Sequence, residues 1–400
     1  MPDLDLGFNL DQANARLLRF LSVEGITGQE EAIGKAVIVD LREAGVPGET
    51  IRFDDAHRRI PLPTQTGNLI VRLAGTRPGP RRLFMTHLDT VPLCAGAQPE
   101  RKDNRIVAAG RTALGGDNRT GVAVLVTLAA TLLEKQLPHP PLTLLFTVRE
   151  ESGLFGARYL NPADLEGPIE GYNVDGRDAS EITIGAVGAE RWEVTIRGRA
   201  SHAGVHPEQG ISATMVGALA LRDVFQNGWF GKVRKKGQEG TSNVGSFGGD
   251  DGKSAGEATN VVTDFVHIRG ESRSHDSRFA RKITAAYKSA FAKAAGKIPN
   301  DKGKRAKVQF QSRRDYYPFR IKKSTPVVRR AVAAAENAGL KPTLRISNGG
   351  LDANWMVRHG IPTITFGAGQ NNIHAIGEYV DLVEFEAACR LALALATHPD

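Results

Sequence analysis

An alternation of short apolar strands with helices, which stops near Gly188 and resumes near Tyr317, constrains this chain more than any other feature. Strand and helix in turn build an α/β layer on a mostly parallel sheet. Residues 12–45 read as two helices, the first carrying Leu17, Leu18 and Leu21. They break near residues 25–28, and Gly45 suits the second helix as a C-cap. Strands are expected at 68–73, 82–86 and 142–148, with an apolar helix at 121–134. From 189 the pattern is strand 191–197, helix 210–225, strands near 241–247 and 259–269, a basic helix at 277–295 and a strand at 306–312. That β-α-β-β-α-β order is the ferredoxin-like split unit. After 317 the first pattern returns, with helices at 326–338, 351–359 and 382–396 and strands at 343–346 and 362–366. The fold class expected is therefore α/β, with residues 1–188 and 318–400 forming one domain and 189–317 an α+β domain inserted into it.

Composition narrows the function classes. No apolar run approaches the roughly 20 residues of a membrane helix, and the N-terminal MPDLDLGFNLDQ has neither the basic start nor the apolar stretch of a secretory signal. Two cysteines, Cys94 and Cys389, read as free thiols in a reducing, cytoplasmic setting. The net charge is +8. Its basic clusters, Lys232 with Arg234, Lys235 and Lys236, and Lys302 with Lys304, Arg305 and Lys307, lack the interleaved aromatics of a single-strand binding face and read as solvated surface. Neither nucleic acid nor membrane is expected as a partner.

Acidic and histidine residues fall where buried strands end, the edge at which open α/β sheets place ligands. In order they are His87 and Asp89 in FMTHLDTVP, Asp117 in LGGDNRTG, Glu150 and Glu151 in FTVREESG, Asp175 in YNVDGR and His374 in NNIHAIGEY. Taken singly, each has an ordinary structural alternative: a strand-end pair, a helix N-cap for Asp117, a solvated loop pair, a turn residue. Together they offer five N/O ligands with a spare glutamate and a spare aspartate. Imidazole mixed with carboxylate suits zinc, and a bridging aspartate suits two metals about 3.5–4 Å apart. The signatures of a serine hydrolase elbow or a P-loop are missing, and no G-x-G-x-x-G is well placed.

With these motifs in view, the chain resembles the co-catalytic zinc exopeptidases that include peptidase T, carboxypeptidase G and the aminoacylases. The peptidase T-like tripeptide aminopeptidases are the nearest match. The matching stretches are THLDTVP, LGGDNRTG, TVREESGLFGA, YNVDG, GRASHAGVHPEQGISA, GEATNVV with the following HIRGESRSHD, SNGGLDANW and NNIHAIGEY, covering nearly the whole sequence. The resemblance implies two divalent ions, zinc first, with cobalt or manganese as substitutes. His87 and Asp175 would bind one, Glu151 and His374 the other, with Asp117 bridging and a cis peptide at Asp117–Asn118. Asp89 would orient His87. Glu150 would act as general base on a water held between the metals. The inserted domain would be a lid hinged near 185–188 and 317–320 and, in a homodimer, a dimerisation surface. His202 of ASHAG would stabilise the carbonyl oxygen, Asn260 and Arg273 would contact substrate, and His206 falls at a variable position on the surface. Arg273 also reads as a salt-bridge former, and Asp352 of SNGGLDANW as a helix N-cap.

The implied reaction is release of the N-terminal residue of a small peptide, chiefly a tripeptide. Aspartate at 175, where carboxypeptidase-like relatives of the family carry glutamate, tilts the reading to an aminopeptidase. A carboxypeptidase or N-acyl amino acid deacylase would use the same centre, and a non-catalytic binding protein would be expected to lack a ligand or the base.

Overall fold

Every residue of Arg82–His87, Leu142–Thr147 and Glu170–Val174 is buried in a computed structural model that describes residues 7–250 and 253–399. The first residues of the N-terminal stretch read above for a leader lie outside the described residues. Strands buried on both faces belong to a sheet covered on both sides. Leu83, Met85 and Leu145 point to one face with Ala157, Leu165 and Met356. The other face takes the nearly fully buried helix Gly116–Glu134 and the C-terminal helix Leu382–Thr397.

Among the described residues this sheet has nine strands, in the order Ile51–Phe53, Leu69–Leu73, Leu142–Thr147, Arg82–His87, Glu170–Val174, Thr363–Phe366, Glu181–Ala186 and Phe319–Arg320, with Thr343–Ser347 pairing beside Glu181–Ala186. Its four central strands run parallel, and the edge pairs at Leu69–Leu73 are antiparallel. A second small sheet orders Gln370–Asn371, Tyr379–Asp381, Arg105–Ala108 and Pro99–Lys102. Gly45 ends the helix Glu31–Glu43 at φ +93°. The amides of Gly45 and Val46 bond back to Arg42 and Leu41, which satisfies carbonyls the helix leaves open.

The chain divides into two compact units, one comprising the residues up to Ala186, Arg320–Ser347 and from Leu351 onward, the other Val187–Phe319 and Asn348–Gly350. In the second unit a five-stranded antiparallel sheet has the order Gly231–Lys235, Gln238–Gly248, Phe265–Ser274, Gly188–Arg197, Lys307–Tyr316. Helices Ala213–Gln226 and Ser277–Ala295 contribute to its core. This is the ferredoxin-like order with one strand added. The added strand Gly231–Lys235 holds most of the basic cluster read as plain surface. It is the outer arm of a hairpin turned by Lys236 and Gly237, both at positive φ, the geometry of a tight hairpin turn. Its charge suits an exposed edge, where lysine discourages pairing with other chains. The strand expected at 259–269 begins later, at Phe265.

Trp192 organises this second core. Its ring lies 4.5 Å from Tyr287 and 5.7 Å from Phe310, and its cross-strand partner is Gly270. A Cβ at Gly270 would stand 2.2 Å from the indole and 2.5 Å from the Asn243 carbonyl oxygen. Gly270→Ala should therefore destabilise this unit by about 1–3 kcal/mol, the ordinary cost of overpacking. Thermal unfolding followed by tryptophan fluorescence checks this, and an unchanged midpoint would contradict the packing.

Candidate metal centre

The parallel strands deliver their C-terminal ends to one edge. His87 closes Arg82–His87, the Glu150–Glu151 turn follows Leu142–Thr147, and Asp175 follows Glu170–Val174. The helix Gly116–Glu134 presents its first turn there, with Asp117 in a non-helical conformation ahead of a cis Asp117–Asn118 bond. Close approach of this helix to the strand ends requires glycine at 121, where a Cβ would stand 2.2 Å from Thr86 Oγ1 and 2.6 Å from the Val174 carbonyl oxygen. Gly115, not Asp117, occupies the N-cap position.

Asp117 stands between two imidazoles. Its Oδ1 is 3.1 Å from His87 Nε2 and its Oδ2 is 3.2 Å from His374 Nε2. His374 Nε2 is also 2.8 Å from Glu151 Oε1. Donor atoms of His87, Asp117 and Glu151 lie within 4.8 Å of one another. Asp175 stands outside that trio but within its field, where Asp117 and Glu151 act on it. The other ring nitrogen of His87, Nδ1, lies 2.9 Å from the Asp89 carbonyl oxygen and 3.5 Å from its carboxylate.

Burial crowds these charges. It pushes Asp175 up to about 8 with help from Asp117 and Glu151. Glu151 is pushed up to about 7, again by burial first and then by Asp117 against the pull of His374. Glu150 stands well above the carboxylate range, raised by burial and by Asp352, Glu151 and Asp175 against the opposing charge of His87. Burial would raise Asp117 too, but hydrogen bonds from His374 and His87 outweigh it and hold its carboxyl low. Burial opposes charge on His87, yet Asp117 and Asp89 keep its pKa well above the ordinary value. His374 is pushed up to about 10 by Asp117 and Glu151. Buried carboxylates that hold protons near neutrality are groups short of positive charge. Two imidazoles among them complete a donor set that fits divalent cations of the zinc type.

Buried groups hold the turns that carry these side chains. Asp89 accepts the amides of Glu150 and Glu151 at 2.9 and 3.1 Å. Glu30 accepts the preceding amide, Arg149, at 3.0 Å and that of Gly28 at 2.6 Å. Burial and the nearby Asp89 push Glu30 up to about 7. Glu378 accepts the amides of Leu114, Gly115 and Asp117. The guanidinium of Arg119 donates to the carbonyls of Leu88 and Val23. Sequence reasoning missed Glu30, Glu378 and Arg119, although Glu378 and Arg119 lie inside the motifs quoted above. Asp352 does not cap its helix with its side chain. Its carboxylate accepts the Thr147 hydroxyl instead, and burial pushes it up to about 6.

The remaining site candidates belong to the second unit. His202 is exposed, and its Nδ1 accepts the amides of Gly204 and Val205, each at 3.2 Å. With Nδ1 accepting these amides, Nε2 is the ring nitrogen free to donate. Asn260 is exposed, and its carbonyl accepts the Ala203 amide at 2.8 Å. Arg273 is half-buried in an ion pair with Glu271 at 2.8 Å. His206 lies on the surface, 3.4 Å from Glu208. Cys94 and Cys389 are both free and buried, and burial pushes the Cys94 thiol up to about 12. Among the described residues, no helix is long and apolar enough to cross a membrane.

The model of peptidase family M20/M25/M40 matches residues 83–398, a span that takes in every candidate ligand. The chain is 32% identical over 331 residues to the uncharacterized protein YqjE of Bacillus subtilis, covering 82% of this chain and 84% of that one. It superposes on the crystal structure of the aminopeptidase PepT from Bacillus cereus with a TM-score of 0.81 at 31% identity, over 98% of both chains. A tripeptidase from Staphylococcus aureus gives a TM-score of 0.85 at 27% identity, again over 98% of both. The chain thus belongs to peptidase family M20/M25/M40.

Proposed function

We propose that this peptidase uses two divalent cations, zinc in the first place, to remove the N-terminal residue from tripeptides in the cytoplasm. The observation that carries the two-cation reading is Asp117, whose two carboxylate oxygens face two different imidazoles at nearly equal distances. A carboxylate so placed suits a bridge, with His87 and Asp175 on one side and His374 and Glu151 on the other. The tripeptide reading draws on similarity to the Bacillus cereus aminopeptidase and the Staphylococcus aureus tripeptidase.

When bound, two such cations polarise the scissile carbonyl and acidify water. The chain's own residues do the rest. Among the described residues none hydrogen-bonds the Glu150 carboxylate, and its raised proton affinity suits a group that takes a proton from the attacking water and gives it to the departing amine. Asp89 sets the His87 ring and, through two amides, the Glu150–Glu151 turn. His202, with Nε2 free to donate, is assigned the donor to the carbonyl oxygen. Asn260 and Arg273 are assigned to substrate binding.

The primary test is a panel of di-, tri- and tetrapeptides beside N-acyl amino acids, assayed with and without chelator and with metal content measured. Release of the N-terminal residue from tripeptides, lost on chelation and restored by zinc, cobalt or manganese, is expected. Cleavage confined to N-acyl substrates would instead indicate a deacylase. Glu150→Gln should keep its metals and lose at least about 10²-fold in kcat, the lower range for a positioned acid–base group. Full turnover by this variant would remove Glu150 from the mechanism.

The raised carboxylates give a pH test. Asp175 and Glu151 have folded pKa values of about 8 and 7, above the unfolded values of roughly 4. The metal-free fold therefore gains protons relative to the unfolded chain and loses stability as pH rises from about 4 to 8. Cations displace those protons. The increase in Tm on adding zinc should be larger at pH 8 than at pH 6, with protons released on binding near pH 7. Calorimetry in buffers of different ionisation enthalpy should count more protons than the raised His87 and His374 can release, and a count of two or fewer would argue against the carboxylates as ligands.

A further inference from the structure

Glu378 uses both carboxylate oxygens on backbone amides. Oε2 accepts Leu114 at 2.9 Å and Gly115 at 3.0 Å, and Oε1 accepts Asp117 at 3.1 Å. The residue is 2% exposed. Three amides on two oxygens make it an acceptor whose groups are taken up by the turn. It stands four positions after His374, at the end of the loop that carries that imidazole. The base of the loop is closed by strand pairing of Gln370 with Val380 and Asn371 with Tyr379, and Tyr379–Asp381 also pairs with Arg105–Ala108. Opposite it, Gly116 leaves no space: a Cβ there would stand 2.8 Å from Val380 and 3.3 Å from Glu378 Oε1. The Asp117 turn is therefore seated directly on the segment that follows His374.

We infer that Glu378 is a positioning residue that locks the His374 loop to the Asp117 turn and so sets the spacing of both side chains around the cation they share. The inference rests on the two-cation reading above. A carboxylate is needed because all three groups facing it are N–H donors. Glutamine would supply one oxygen and turn an NH2 toward a donor, leaving an amide of the turn unpaired. The bond lost is on the turn, yet its consequence falls on His374 and Asp117, whose facing atoms stand 3.2 Å apart.

The experiment compares wild type, Glu378→Gln, Glu378→Asp and Glu170→Gln. Glu170 is equally buried, hydrogen-bonded by Tyr172 and paired with Arg330, and it starts the strand that ends before Asp175. It therefore reports a buried carboxylate lost at the opposite edge of the sheet. Zinc affinity is measured by competition with a chromophoric chelator, folding by circular dichroism, and kcat and KM on a tripeptide. Glu378→Gln should weaken binding of one zinc about 10- to 100-fold, the usual effect of removing a partner that orients a ligand, and should lower kcat more than it raises KM. Glu170→Gln should lower Tm and leave zinc affinity unchanged. Glu378→Asp keeps the charge but withdraws it by one methylene, and should fall between wild type and Gln. It serves also if the Gln variant does not fold. Wild-type zinc affinity in either folded Glu378 variant would overturn the inference, as would an equal loss in Glu170→Gln. Wild type that binds no zinc would instead overturn the two-cation reading itself.

Discussion

A buried carboxylate between two imidazoles needs its neighbours held in place before any cation arrives. Asp117 meets that need with an unusual local backbone. Its turn departs from helical geometry and passes through a cis bond before the helix Gly116–Glu134 begins in earnest. The Asn118 side chain anchors the same turn, donating to the Val174 carbonyl at 2.7 Å and accepting from Gln370 at 2.8 Å. It thus connects the strand before Asp175, the turn of Asp117 and the approach to His374. The parallel sheet supplies the coarse placement, since its strand ends share one edge. The side-chain-to-amide bonds supply the fine placement.

Two classes of buried acid follow from this. Glu378 and Asp89 have oxygens occupied by amides. Glu150, Glu151 and Asp175 are crowded, and burial and mutual repulsion raise them. Amide bonds pull the proton affinity of an anion that accepts them down against burial, although burial still raises Glu378 and Glu30. One that is merely crowded is satisfied only by a proton or a cation. The first class ties turns of the backbone in place, and the second holds the unmet charge.

That distinction also explains what could be read in the sequence. His87, Glu151 and Asp175 were legible because each lies at or a few residues beyond the end of a buried strand, which places it at the sheet edge. Asp117 was legible through its flanking glycines, and His374 stood out as a candidate in its loop, its pairing with Glu151 at one cation coming from the resemblance. Glu30 and Glu378 were not legible. Each looks like an ordinary polar residue near a glycine, and what distinguishes them is contact across 119 residues in one case and 261 to 264 in the other. The insertion was legible from the change in period at Gly188, whereas the strand Gly231–Lys235 was hidden by charge, which a solvated loop and an exposed edge strand share.

Backbone strain at the site follows the same division. Arg149 at φ +53° and His374 at φ +62° are left-handed residues without the freedom of glycine, a conformation that costs roughly 1–2 kcal/mol each. Both adjoin or carry a side chain of the centre. The Arg149 amide is held by Glu30, and its guanidinium reaches Thr64 at 2.7 Å and the Pro63 carbonyl. The loop of His374 is closed by Glu378 and by the pairing of Gln370–Asn371 with Tyr379–Asp381. A strained residue persists only where surrounding bonds over-determine it: at Arg149 these include the Glu30 carboxylate, and at His374 the backbone pairing that closes its loop. Arg149 immediately precedes the Glu150–Glu151 turn, and His374 stands 3.2 Å from Asp117. Glu30 and Glu378 thus tie down the turns on which Glu150, Glu151 and Asp117 stand.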